Sequence, residues 1–187
     1  MEITLLRHGR PKPIPHSSIS AAELQEWISQ YNENGISSES LPSEKCFSQA
    51  KGVGIIVSST LARSMGSAEF LHTDQKRISK HVFVEAGLPY AKWSKIKMNP
   101  RNWAILFRTL WYLGYSKNSE SYSEAKERAV RASLKLEEQA NIHQSVLLVG
   151  HGIFNRLVAK ELKNKGWFGP RNPGSKYWDF GTYKKST

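Results

Sequence analysis

Three short apolar runs constrain this chain more than any other feature. Residues 3–6, 55–57 and 146–149 are made of Ile, Leu, Val and a single Thr. Each is too short for a buried helix, and each is bounded by polar or turn-forming residues, so each reads as a buried strand. A helix-period pattern follows in the sequence each time. Strands alternating with helices imply an α/β domain with a mostly parallel sheet. Parallel strands deliver their carboxyl ends to one edge, and ligands bind just past that edge. The first run leads into Arg7-His8-Gly9-Arg10. The second leads into Ser58-Ser59-Thr60-Leu61-Ala62-Arg63, and the last into Gly150-His151-Gly152. A further strand is expected over residues 80–84, which would set Glu85 at a strand end as well.

The connecting segments sort by local chemistry. Pro11, Pro13 and Pro15, with Lys12 between them and His16 just after, exclude a regular helix and predict an extended loop beside the first strand end. Ser20 and Glu23 form a capping-box pattern ahead of Leu24, Trp27, Ile28 and Tyr31, which share one helix face, and Asn34-Gly35 ends that helix. A short helix is expected over 44–51. Residues 90–121 break the alternation. Asn99 as N-cap, Pro100 at the first helical position and Gly114 past the end bracket a helix with Trp103, Leu106, Phe107, Leu110 and Trp111 on one stripe. A long helix is expected over 122–139, with Ala125, Ala129, Ala132 and Leu136 on one face. The helix after His151 ends at Gly166, and residues 176–184 read as a terminal strand. The expected architecture is a three-layer sandwich: one domain, helices on both faces of the sheet, and a small helical cap inserted at about 88–121.

The 187 residues suffice for one substantial core. No apolar run reaches the ~20 residues of a membrane helix, and Glu2 stands where a signal peptide would be basic. The single cysteine, Cys46, excludes an internal disulfide and a multi-cysteine zinc site. A cytoplasmic location is the expectation. The formal net charge is +11. Residues 92–117 hold six basic and no acidic residues, and 156–187 hold eight basic and two acidic, so these two segments carry the excess. Such a balance favours an anionic substrate or partner. The exposed face of the cap helix is expected to carry positive charge alone.

Gathered at one sheet edge, Arg7, His8, Arg63, Glu85 and His151 would make a site for phosphoryl transfer. Arginines neutralise phosphate charge. One imidazole can attack phosphorus while the other donates a hydrogen bond, and a carboxylic acid can protonate the leaving oxygen. Gly9 would let the backbone turn and an anion approach. Gly152 opens a helix whose amides would face the anion.

These three motifs, in this order, resemble the histidine phosphatase superfamily, also called phosphoglycerate mutase-like, over nearly the whole chain from Ile3 to about Leu162. The resemblance implies a phosphohistidine on His8 and a phosphate pocket of Arg7, Arg63 and His151. It also implies Glu85 as proton donor and no metal or other cofactor. Gly9, Arg10 and Gly152 are further substrate-binding candidates. Within the superfamily the chain is similar to the branch of mutases and small phosphatases: Pro11 and Gly152 stand where the acid phosphatase branch has an arginine and an aspartate. That first branch usually continues its first motif with a hydroxyl residue and later an asparagine. Arg10-Pro11-Lys12-Pro13 follows here, which counts against a mutase.

The leading expectation is a phosphatase acting on phosphate monoesters, either small molecules or phosphoproteins. The alternatives are a phosphohistidine-protein phosphatase, a mutase-type phosphotransferase, and a non-catalytic module binding phosphate or nucleic acid. Aromatics interleaved with Lys92, Lys95, Lys97, Arg101 and Arg108 motivate the last, but no nucleic-acid motif is present. The specific substrate and the oligomeric state are not written in these motifs.

Overall fold

The computed structural model describes residues 1–14, 17–71, 74–92 and 96–186. Pro15, His16 and Lys95 lie outside them. In chain order the elements are β1 (Glu2–Arg7), β2 (Ile19–Ser20), α1 (Leu24–Glu33), α2 (Glu44–Lys51), β3 (Ile55–Ser58), α3 (Ala62–Phe70) and β4 (Lys76–Ser79). Then follow a 3₁₀ turn (His81–Phe83), β5 (Lys97–Met98), α4 (Pro100–Tyr112), α5 (Tyr122–His143), β6 (Ser145–Gly150), α6 (Gly152–Asn164) and β7 (Phe180–Lys184). The main sheet runs β4-β3-β6-β1-β7. β4, β3, β6 and β1 are mutually parallel, and β7 closes the edge antiparallel to β1. No helix among the described residues is long and apolar enough to cross a membrane.

Alternation along the strands divides the core into two faces. Ile3, Leu5, Ile55, Val57, Val146 and Leu148 point to one, where α5 and α6 cover them. The alanine stripe of α5, Ala125, Ala129, Ala132 and Ala140, is fully buried there. On the other face Leu6, Ile56, Leu147 and Val149 meet Cys46 and Ala50 of α2 and Ala68 of α3. Burial raises the Cys46 thiol to about 12, which leaves it an inert core residue. This is the expected sandwich. A third, smaller cluster joins Ala21 and Leu24 to Ala91, Trp103 and Phe107. The cap over the sheet edge is therefore built from α1 and α4 together. The two-residue strands β2 and β5 pair antiparallel, and Trp103 Nε1 donates to Ile19 O at 2.7 Å, tying the loop after β1 to α4.

Several boundaries differ from the sequence expectations. The strand expected over 80–84 lies earlier, over Lys76–Ser79, and His81–Phe83 is a 3₁₀ turn. β4 is the sheet edge, so it is polar and mostly exposed and lacks an apolar signature. The apolar 82–84 segment has other backbone partners. Val84 N donates to His81 O, and the carbonyls of Val82 and Val84 both accept from Arg128 Nη1 at 2.9 Å. The terminal strand begins at Phe180. Ahead of it Asp179 accepts from the amides of Ser175 and Lys176, and Trp178 turns the chain with φ 65°. α5 continues to His143, one turn past its expected end. The capping box at Ser20 and Glu23 forms, but regular α-helix begins only at Leu24.

The outer face of α4 is not purely cationic. Leu106 is exposed there and Leu113 just past the helix end, while Arg108 turns inward. Asn99 caps the helix, Pro100 opens it, and Gly114 follows it with φ 101°, as the sequence implies.

Candidate active site

The sheet edge gathers residues that are distant in sequence. Asn155 fastens it from beneath: Nδ2 donates to Leu6 O at 3.0 Å, and Oδ1 accepts from His151 N at 3.3 Å. This fixes the end of β1 against the start of α6. Gly150 is required there, because a Cβ would overlap the Asn155 carboxamide.

His8 follows β1 and is only 3% exposed. Its Nδ1 lies 2.7 Å from Gly9 O. A carbonyl only accepts, so Nδ1 carries the proton and Nε2 keeps its lone pair. The His151 ring lies 5.0 Å away, centroid to centroid. His151 Nε2 is 2.7 Å from Ser59 Oγ. Ser59 Oγ accepts from Leu61 N, and among the described residues Nε2 is the one acceptor within reach of its own proton, so Ser59 donates to Nε2 and His151 carries its proton on Nδ1.

Arg63 sits in the first turn of α3, 2% exposed. Its Nη1 donates to Tyr31 O and Asn32 Oδ1, and its guanidinium lies over the Tyr31 ring at 4.6 Å. Arg7, the last residue of β1, donates through Nη1 to Ser175 O and lies 4.5 Å from the Tyr177 ring centroid. Three buried N–H groups in this cluster have no partner among the described residues: Arg7 Nε, Arg63 Nε and His151 Nδ1. Buried donors are nearly always satisfied. Three left open beside one imidazole form a receptor for an anion.

Glu85 accepts from Ala86 N at 2.9 Å, Phe154 N at 2.8 Å and Ile153 N at 3.2 Å. Its carboxylate is thus seated on the N-terminal amides of α6. Arg128 holds the backbone behind it. Besides Val82 and Val84, it pairs with Glu120 at 2.5 Å, and Glu120 accepts from Gly87 N.

Arg7, Arg63 and Glu85 all line one cavity of about 760 Å³, and Glu85 is the one carboxylate in its lining. Arg10 does not join them: its side chain is exposed, and its backbone N–H donates to Ser40 Oγ. Gly9 is approached by the Trp178 indole, which a Cβ would meet at 2.5 Å. Gly152 packs on Arg7, where a Cβ would stand 3.5 Å from Cζ and Nε.

Ser59, Tyr31, Tyr177 and Arg128 are parts of the site that sequence reasoning gave no role. Ser59 was visible inside the second motif. Tyr177 was hidden by the strand reading of its segment, although Asn172-Pro173-Gly174-Ser175 just before it is turn chemistry.

Burial pushes the His8 imidazole down to about 3, with the Arg63 and Arg7 cations adding to the effect. Burial also holds His151 well below its ordinary value, followed by His8, the two arginines and Arg128. Both rings are neutral at physiological pH. The unfolded chain takes up protons on them below about pH 6.5 and the folded chain does not, so stability falls as the pH drops from 6.5 toward 3. Each ring contributes a slope of about 1.4 kcal/mol per pH unit. In urea melts at pH 7 and pH 5, wild type should lose about 2 kcal/mol more than His8→Asn. Equal losses would contradict a neutral buried His8.

Comparison with known proteins follows the same lines. A comparison with curated proteins gives no match. Among solved structures, the mycobacterial glucosyl-3-phosphoglycerate phosphatase in complex with VO3 has a TM-score of 0.61 at 17% identity, covering 97% of this chain and 91% of that one. Phosphoserine phosphatase from Entamoeba histolytica in complex with 3-phosphoglyceric acid has a TM-score of 0.54 at 16% identity, covering 87% and 80%. A putative α-ribazole-5′-P phosphatase from Escherichia coli has 0.54 at 14%, covering 88% and 78%. At such identities the likeness is one of fold. The sequence model of the histidine phosphatase superfamily (branch 1) matches residues 3–173. With its motifs on the expected sheet edge, the chain belongs to the histidine phosphatase superfamily.

Proposed function

We propose that the protein is a metal-independent phosphatase that hydrolyses phosphate monoesters through a phosphohistidine on His8. The observation that carries this reading is the set of three unpartnered buried donors, Arg7 Nε, Arg63 Nε and His151 Nδ1, around an imidazole whose Nε2 is unprotonated. Phosphate oxygens accept from the three donors, and the two guanidinium charges offset the dianion. The Nε2 lone pair attacks phosphorus and the bond to the leaving oxygen breaks. Glu85, as a carboxylic acid, gives its proton to that oxygen. Water then attacks the phosphohistidine, Glu85 takes the water proton, and the P–N electron pair returns to Nε2. The arginines supply the positive charge that a metal supplies in other phosphatases.

The test is a panel of phosphate monoesters assayed with and without a chelator. Release of inorganic phosphate at a rate unchanged by the chelator is expected. Activity that disappears with the chelator and returns with a divalent cation would refute the metal-independent scheme.

A further inference from the structure

The cavity extends well beyond the phosphate donors. Arg7, Arg63 and Glu85 occupy one part of its wall, and α1 and α4 supply most of the rest. About 760 Å³ exceeds what a phosphate and a small alcohol need, and lies within the range of sites for drug-sized ligands. The α1 and α4 walls are largely apolar. Trp27 and Ile28 of α1 face Ala104, Ile105 and Tyr112 of α4 across it. Ile105 and Tyr112 are 58% and 48% exposed, so their apolar surface is open to a ligand in the cavity. The flat faces also form a series. The Arg63 guanidinium covers the Tyr31 ring, and Trp27 stacks on Tyr31 at 5.2 Å with the planes 11° apart. The Tyr31 ring is thus already covered by Arg63 and Trp27, and the aromatic wall continues along α1 as Trp27.

Most polar side chains in the lining are already engaged, the exposed Arg101 being the exception among its charged groups. Both Glu85 oxygens are on amides, and Asn32 Oδ1 accepts from Arg63. Thr109 Oγ1 donates to Ile105 O, His81 is paired with Thr60, and Arg108 donates to the carbonyls of Ala86 and Gly87. A sugar or glycerate moiety would find few groups to receive its hydroxyls and would leave the apolar walls wet.

We infer that the cavity selects phosphate monoesters whose alcohol is large, apolar and aromatic, the ring lying between Trp27 of α1 and Ile105 of α4. This specificity rests on the phosphatase reading for the position of the phosphoryl group.

Binding of non-hydrolysable phosphonates separates the two claims. In calorimetry 2-naphthylmethylphosphonate should bind ~100-fold more tightly than methylphosphonate, the order expected for burying a bicyclic ring. The polar 2,3-dihydroxypropylphosphonate should bind no better than methylphosphonate. Ile105→Ser should cut the naphthyl-to-methyl ratio by ~10-fold, whereas Leu134→Ser, an equally exposed apolar change on α5, should leave the ratio unchanged. Equal affinities for the naphthyl and dihydroxypropyl compounds, or a ratio indifferent to Ile105→Ser, would overturn the inference. Tight, Ile105-dependent binding without hydrolysis of 2-naphthylmethyl phosphate would uphold the aromatic pocket and count against the phosphatase reading instead.

Discussion

His8→Ala should reduce phosphate release by ~10⁴-fold or more while the protein still folds. The expected size follows from what the ring does. Its Nε2 is unprotonated and, among the described residues, has no carbonyl or hydroxyl bound to it, and the Arg63 and Arg7 cations act on the ring. Removing it leaves Arg7, Arg63 and His151 to hold the anion but no imidazole to attack phosphorus, and water is a far poorer nucleophile while Glu85 must serve as the acid for the leaving oxygen. The substitution should therefore abolish turnover and preserve binding of a phosphonate. The His8 side chain makes a single hydrogen bond among the described residues, to the adjacent Gly9 carbonyl, and takes no part in the sheet core. Loss of the fold would show in the melting curve and is not expected. A His8→Ala protein that hydrolyses esters within tenfold of wild type would remove this ring from the chemistry.

Arg63→Met should lower kcat/KM by ~10³-fold, the scale seen when a preorganised charge in a desolvated site is removed. Methionine fills much of the same buried volume, so the change is chiefly electrostatic. A second readout separates charge from shape. The Arg63 cation is the second-largest cause holding the His8 imidazole down. Without it the His8 titration moves up, toward its ordinary value. The acid limb of the rate profile should then move to higher pH, once the substrate's own ionisation near pH 6 is allowed for. Arg63→Lys keeps the charge but not the fork, and should recover part of the rate and most of the pH profile. A rate loss with an unmoved profile would mean that Arg63 acts only by shaping the pocket.

The parts of this site that the sequence announces are those fixed by chain connectivity. His8, Arg63 and His151 each follow a buried apolar strand within a few residues. Once those strands are parallel, their ends must share an edge, and no further detail is needed to bring the residues together. Glu85 came to the same edge by a different route from the expected one. Its preceding strand is the polar sheet edge Lys76–Ser79, and a 3₁₀ turn held by Arg128 carries the chain on to it. Nothing local in Lys76-Arg77-Ile78-Ser79 marks a strand, because pairing with β3 alone does not require burial. Arg128 was equally hidden. On its own helix it looks like one more solvated cation, and only tertiary contact with Glu120 and three carbonyls gives it a role. The placement of Tyr177 beside His8 depends on a positive φ at the following tryptophan, a backbone state that sequence patterns seldom signal.

The positive charge of residues 92–117 is only partly at the surface: Lys92, Lys97, Arg101 and Lys117 are exposed, and Arg108 is half-buried. The basic excess of residues 92–117 led to an expectation of a cationic cap face. Arg108 satisfies backbone carbonyls and rests on Trp111 at 4.6 Å. An arginine can bury its planar head only where acceptors converge, and no one-dimensional count shows where that happens.

The account stands or falls on covalent chemistry at His8. The direct test is to mix enzyme with a slowly hydrolysed phosphate ester in chelator, quench in alkali, which preserves phosphohistidine, and map the phosphoryl group by mass spectrometry. The account predicts one phosphoryl group on the peptide containing His8, formed in the first turnover and absent from His8→Ala. Phosphorylation of another side chain, or full turnover with the His8 peptide unmodified throughout, would contradict it.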